Sequence, residues 1–460
     1  MTRISGHTAE EIAGSVRDLV SVGTLVAGAT LPPIRALAAD LGVNRNTVAA
    51  AYRQLVAAGV AETHGRGGTA IADVPELERE GAAGPRGLGA PVDLASGNPD
   101  PALLPDLRAW RAVYEPVLYG VTAEDPGLVR WARERFEAEL ERAFDVVVTH
   151  GAVDAVERVL AVHLTRGDAV AVEDPCFLAH IGTLRLNGFT AVPVAVDAEG
   201  MRPAALDAAL RAGARAVVVT PRAHNPTGAA VTGARAEQLR AVLAAHPHVL
   251  VIEDDHFSAL SSCPYVRSTP PETARWALVR SVTKFLGPDL RVAVVATDER
   301  TAARMHARLA PAWVSHLLQS LARDLLADPA TTALVARARG AYAERAALLA
   351  VRLAPRRFRA GAAVPSGLNG SSPPDGPSPP PHDAARPRVS IPPDGLNVWV
   401  DVPGDADLVA QRLAALGFLV RPSSAFAVGG PPRQAVRVTT STLTPGQAEA
   451  FVAALHSATK

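Results

Sequence analysis

The chain has 460 residues with 46 Lys+Arg against 46 Asp+Glu, so its formal net charge is zero. No overall basic field draws it to nucleic acid or to an anionic membrane, and any DNA contact must come from a local surface. A hydrophobic fraction of 48% with 20% charged residues suits a globular protein of two or three domains. No apolar run reaches the ~18 residues of a membrane span, no segment has the pattern of a signal peptide, and the two cysteines form no CxxC or Cys/His cluster. A cytoplasmic protein with neither a disulfide framework nor a metal site is expected.

The first 72 residues read as one unit. "HTAEEIAGSVRDLVSVG" has apolar residues at helical spacing, and Thr8 with Glu11 three residues later makes a capping-box pattern. "LPPIRALAADLGVNRNTVAAAYRQLVAAGVAETHGRGGTAI" then gives two short helices separated by "LGV" and ends in Gly-rich strands, which predicts a winged helix-turn-helix. Asn44 and Arg45 open the second helix, the end that a recognition helix turns to base edges and phosphates. Arg35, Arg45, Asn46, Thr47 and Tyr52 carry donors of the kind that phosphate contacts use, and Arg66 falls in the wing. The plainer alternative is a helical docking domain with scattered surface arginines.

Residues 73–91 lose hydrophobic periodicity and gain Gly and Pro, which predicts a linker. From Val92 onward, buried strands such as "AVAVED", "AVVVTP" and "HVLVIEDD" alternate with Ala/Leu/Arg-rich helices, the pattern of an α/β domain spanning 92–460. A Pro-, Gly- and Ser-rich stretch, 364–393, is expected to be a disordered insertion. After it "GLNVWVDV" resumes strand character and opens a small C-terminal α+β subdomain.

Several features of this second region carry chemistry. "RSVTKFLGPDLR" places Lys284 after a strand-like segment, with Ser281 three residues before it and Arg291 seven after. A lysine whose stem is buried can lose its proton and act as a nucleophilic amine, and a serine with an arginine suits an anion such as phosphate. "VVVTHGAVDAVERVL" runs a strand through Gly151 into a helix whose first amides also suit a phosphate. "VVVTPRAHNPTG" ends a strand with Asn225 and a tight turn. "VLVIEDDH" ends a buried strand with Asp254 and Asp255, at the end of the sheet where open α/β folds bind ligands. "AVRVTTS" projects Arg437 from a late strand. Each feature alone has an ordinary structural explanation: a turn, a helix cap, an edge residue. Their order in the chain is what carries information.

That order resembles the fold-type I pyridoxal-phosphate enzymes of the aminotransferase class, over 92–460 outside the insertion. "LPPIRALAADLGVNRNTVAAAYRQLVAAGV" resembles the GntR-type winged helix, with Asn44 where a serine is usual, and the fusion of the two resembles the MocR group of GntR regulators. Within that group, "EDPCFL", "TPRAHNPTG", "DDHF" and "SVTKFLGPDLR" resemble a subgroup tied to vitamin B6. The resemblance implies that pyridoxal 5'-phosphate forms a Schiff base on Lys284, that Asp254 pairs with its protonated ring nitrogen and sustains the electron sink, and that Asn225 bonds its phenolic oxygen. Phe177 would stack on the ring, while Ser281, Arg291 and the amides of Gly151 and Ala152 would hold the phosphate. Tyr119 matches a tyrosine that reaches the partner subunit's phosphate, and Arg437 one that binds a substrate or effector carboxylate.

Three departures from the family pattern stand out. His256 replaces the tyrosine that follows the aspartates and tunes the cofactor's phenolic oxygen. Ala152 replaces a hydroxyl residue and leaves backbone donors only. Arg222 adds a cation near the cofactor, unless it forms a salt bridge to the sheet edge. The expected function is therefore a homodimeric, operator-binding regulator that responds to pyridoxal phosphate or an amino compound, with two near-neutral modules on adjacent half-sites. The alternative is an active aminotransferase with an accessory DNA-binding module.

Overall fold

The computed structural model describes residues 3–63, 68–72, 91–110, 116–309, 312–354 and 386–460. The chain forms two compact units, Met1–Leu77 and Glu78–Lys460. Arg66, the expected linker at 73–90, and residues 364–385 of the expected insertion lie outside the described residues.

Unit one packs three helices, α1 (Ala9–Ser21), α2 (Ile34–Leu41) and α3 (Arg45–Ala57), with an antiparallel pair of strands, β1 (Ala61–Thr63) and β2 (Thr69–Ile71). The Thr8–Glu11 capping box forms: Glu11 N donates to Thr8 Oγ1 at 3.2 Å, and Thr8 N donates to Glu11 Oε2 at 3.2 Å. Helix α2 ends on Gly42 at φ 66°, which opens the turn into α3. Asn44 then caps α3, its Oδ1 accepting from Asn46 N at 2.9 Å. Ile12, Val16, Leu19, Leu37, Val48 and Leu55 form the core of this unit.

Tyr52 belongs to that core and not to the DNA-facing set expected from the sequence. It is 4% exposed, its hydroxyl donates to Pro32 O at 2.7 Å, and burial pushes its pKa up to about 12. Its place on the inner face of α3, one turn after Val48, accounts for this.

Unit two is built on an eight-stranded sheet. After the short β3 (Val92–Asp93), its strands in chain order are β4 (Asp145–Thr149), β5 (Ala169–Asp174), β6 (Thr190–Asp197), β7 (Gly200–Met201), β8 (Ala216–Val219), β9 (Leu250–Asp254), β10 (Trp276–Ser281) and β11 (Ala293–Thr297). Their spatial order is β4-β11-β10-β9-β8-β5-β6-β7. The pairs β10–β9, β9–β8, β8–β5 and β5–β6 are parallel, and β11 runs antiparallel to both neighbours. The uninterrupted Val, Ile, Leu and Ala runs of β8 to β11 are what a sheet covered on both faces requires.

The C-terminal part adds a four-stranded antiparallel sheet, β12 (Arg388–Val389), β13 (Asn397–Asp401), β15 (Arg421–Pro422) and β16 (Ala435–Thr439), in the order β12-β13-β16-β15. The strand β14 (Phe418–Leu419) pairs instead with β3. The expected insertion extends too far at its C-terminal end. Arg388 and Val389 pair with β13, and Ile391 is 4% exposed in a cluster with Trp399 and Phe426. Two apolar residues among the prolines were enough to anchor this end, which the Pro and Ser composition hid.

Candidate functional site

The candidate residues of unit two gather at the carboxyl ends of parallel strands. Asp254 closes β9, Ser281 closes β10, Phe177 follows β5, Asn225 follows β8, and Gly151 follows β4. Loops at this edge can vary while the sheet holds their ends fixed.

Asp254 is fully buried between two imidazoles. His180 Nε2 and His256 Nδ1 each lie 3.1 Å from its Oδ2 in ion-pair range, and both carboxylate oxygens are buried with no hydrogen-bond partner among the described residues. Burial alone would push this carboxyl up. His256 and His180 outweigh it and hold the group well below the usual carboxylate range. In return, burial pushes His256 down and Asp254 more than offsets it, so that its pKa is raised. His256 also stacks on Phe177, with ring centroids 5.6 Å apart and planes at 18°, and packs on Phe257 at 4.7 Å.

Sequence reasoning missed His180. It lies three residues after Phe177, on the helix Leu178–Asn187, so that both side chains share one face and their rings meet at 5.2 Å. That spacing was the signal available.

Lys284 sits in a one-turn helix, Thr283–Leu286, directly after β10. Its Nζ donates to Gly97 O at 2.8 Å and lies 5.6 Å from the centre of the Phe257 ring. Arg437 is completely buried: Nη1 donates to Asn225 Oδ1 at 2.9 Å and Nη2 to Ala95 O at 2.5 Å. The guanidinium thereby fixes which way the Asn225 amide points. Thr439 N donates to Leu94 O at 2.8 Å, and Gly97 N to Thr439 Oγ1 at 3.2 Å. The segment 94–97 is therefore held by Lys284, Arg437 and Thr439 together, a convergence across hundreds of residues that no local pattern announces.

A second cluster suits an anion. Gly151 has φ 89° and caps the helix Ala152–His163. A Cβ on it would come within 2.8 Å of Arg291 Nη2 and push the guanidinium aside, and the positive φ itself favours glycine. Arg291 itself has φ 48°, a left-handed conformation that non-glycine residues adopt rarely and mostly at functional sites. Ser281 Oγ donates to Thr283 Oγ1 at 2.8 Å, adding a second hydroxyl that sequence reasoning left out. Ala152, the first residue of the helix, contributes its backbone only.

Two expected residues stand apart. Arg222 is not an open cation beside the site. Its Nε and Nη2 both donate to Asp255 at 2.8 Å, and Nη1 donates to Cys263 O at 3.1 Å. Asp255 also accepts from Arg280 Nε at 2.9 Å. Tyr119 is 91% exposed and touches Trp313 edge-on at 5.5 Å. In unit one, Arg35, Asn44, Arg45 and Asn46 are exposed and Thr47 is half-buried.

The chain matches two family models: aminotransferase class I and II over residues 127–455, and bacterial regulatory proteins of the gntR family over residues 8–71. It is 43% identical over 460 residues, 99% of both chains, to the vitamin B6 salvage pathway transcriptional repressor PtsJ of Salmonella typhimurium. It is 25% identical over 369 residues, 72% of this chain and 74% of the other, to the probable rhizopine catabolism regulatory protein MocR of Rhizobium meliloti. Among solved structures it is similar in fold to a kynurenine aminotransferase of Pyrococcus horikoshii, with a TM-score of 0.66 and 18% identity, covering 80% of this chain and 92% of that one.

Proposed function

This chain belongs to the MocR group of gntR-family regulators, a gntR-type module joined to an aminotransferase class I and II domain, and from that membership we propose that it is a DNA-binding regulator of vitamin B6 metabolism whose effector is pyridoxal phosphate, held covalently on Lys284. The observation that carries the proposal is the buried carboxylate Asp254, with an unpartnered Oδ1, placed with Phe177 and His256 at the same sheet edge as Lys284. A pyridine ring needs an apolar face, an acceptor for its nitrogen and an amine for its aldehyde, and these residues supply the three.

The other parts fit the same group. Gly151, Ala152, Ser281 and Arg291 would hold the phosphate through backbone amides, a hydroxyl and a guanidinium. Asn225 would bond the phenolic oxygen. The buried Arg437 favours an effector that adds a carboxylate, an amino acid among them. When bound, pyridoxal phosphate supplies an aldehyde that captures amines and a ring that withdraws electrons. The protein's share is to orient that ring, exclude water from it and hold Lys284 against it.

Arg35, Asn44, Arg45, Asn46 and Thr47 would contact operator DNA, and a homodimer would bring two such modules to adjacent half-sites and Tyr119 to the partner's phosphate group. The function is tested by operator affinity measured with and without pyridoxal phosphate on a protein whose visible absorbance reports loading. Expected are a yellow protein, loss of the colour in Lys284→Ala, and an operator affinity that changes on loading. A protein that takes up no pyridoxal phosphate, or whose operator affinity ignores it, sinks the proposal.

A further inference from the structure

A cavity of about 480 Å³ lies against the turn that carries Lys284, with Arg280, Ser281 and Phe285 in its lining. The helices Pro126–Glu137 and Pro329–Leu353 supply other walls, through Trp131 and Phe136 on the first and Val335 on the second. Asp254, Asn225, Arg437 and Gly151 do not line it, so it is separate from the site assigned to pyridoxal phosphate, although Ser281 borders both. Its volume is that of an ordinary small-molecule pocket. Three rings, those of Trp131, Phe136 and Phe285, face the space. An inorganic ion would leave these rings wet, whereas a ligand with an aromatic body covers them.

The charges around this cavity balance only through its rim. Asp255 accepts from both Arg222 and Arg280, one carboxylate for two guanidiniums. Arg222 is completed by Cys263 O, at 3.1 Å from Nη1. Arg280 instead has its Nη2 on Glu139, whose side chain is 36% exposed, and its Nη1 makes no hydrogen bond among the described residues. Trp131 Nε1 is buried and likewise has no hydrogen-bond partner there. Glu134 and Arg135, exposed at the mouth, bring one charge of each sign. The open polar positions are therefore donors, and a donor out of water needs an acceptor. We propose that the cavity is a second ligand site, which takes a small aromatic carboxylate. The ring packs among Trp131, Phe136 and Phe285, and the carboxylate accepts from Nη1 and Nη2 of Arg280 while Glu139 turns out to water. Guanidinium and carboxylate make paired bonds of this kind, and a glutamate at the rim loses little by returning to solvent. The occupant lies against Ser281 and Phe285, three residues before Lys284 and one after it.

Titration calorimetry on the full-length protein tests this with two probes that share one ring system, naphthaleneacetate and its uncharged amide, naphthaleneacetamide. Expected is one naphthaleneacetate per chain, with the amide weaker by roughly tenfold, the difference between a charge-assisted and a neutral hydrogen bond. Glu139→Gln removes the competing carboxylate and should tighten naphthaleneacetate by roughly the same factor. Val335→Trp fills the cavity without touching a buried charge and should abolish binding. Equal affinities of acid and amide, or no binding of the acid at all, overturn the proposal. Binding that survives Val335→Trp in a protein with an unchanged melting midpoint overturns it as well, because a carboxylate held elsewhere, at Arg437 for instance, is indifferent to that substitution. If Val335→Trp does not fold, Glu139→Gln decides alone, and an affinity no tighter than that of the wild type overturns the site.

Discussion

Single residues decide the charge state of this molecule's interior. The doublet Asp254–Asp255 carries two buried carboxylates side by side, and the chain answers each with different chemistry: imidazoles for the first, guanidiniums for the second. Removing one partner of a buried pair leaves its charge uncompensated, so Arg222→Ala should destabilise the fold by ~3 kcal/mol, read as an earlier midpoint in denaturant unfolding. The Asp254–His256 pair predicts a pH window. Asp254, with its pKa lowered in the fold, adds stability above its unfolded value of ~3.9 and loses it in acid; His256, with its pKa raised, adds stability below ~6.5 and loses it as pH climbs through the folded value. The stability gap between wild type and His256→Phe should therefore be widest between about pH 4 and 6.5, and a gap no wider inside that window than outside it would refute the pairing. The positions of Asp254, at the end of a buried strand, and of Lys284, three residues past the end of one, were legible in the sequence, a local signal. His180 and the Arg222–Asp255 pair were not, since they depend on which strands lie side by side.

At the scale of elements, local chemistry predicted what local chemistry builds. The capping box of α1 and the Asn44 cap of α3 involve residues two or three apart and could be read directly. The inward turn of Tyr52 depended on which face of α3 meets α1, and was misread. Arg45→Ala, at the exposed start of α3, should weaken operator binding and lower the slope of log K against log salt by roughly 0.9 if it meets one phosphate, with cofactor colour unchanged; titrations at several salt concentrations measure both. The segment 94–97 supplies a second element-level expectation. Lys284→Ala removes the donor to Gly97 O, so amides from Leu94 to Gly97 should exchange hydrogen faster in that variant, while those of β9 stay protected. Equal protection in both proteins would show that Arg437 and Thr439 suffice to hold the segment.

On the scale of the whole molecule, a neutral chain folds as two units with separate cores. The α/β architecture was legible from alternating strands and helices, and so was the small C-terminal subdomain, because both follow from periodicity over long stretches. The structured end of the expected insertion was hidden, since two short anchors at Arg388–Val389 and Ile391 are outvoted by the prolines around them. The pinned segment 94–97 has one more consequence, which concerns reach. It lies immediately after the residues that join the two units in sequence, and β3 before it is fastened to β14. The span between two joined modules depends on where the ends of the connection are fastened as well as on how many residues it has, and the local concentration of one module near the other's half-site follows that span. Lys284 and Arg437 thus fasten the chain at the end of that connection which lies in unit two.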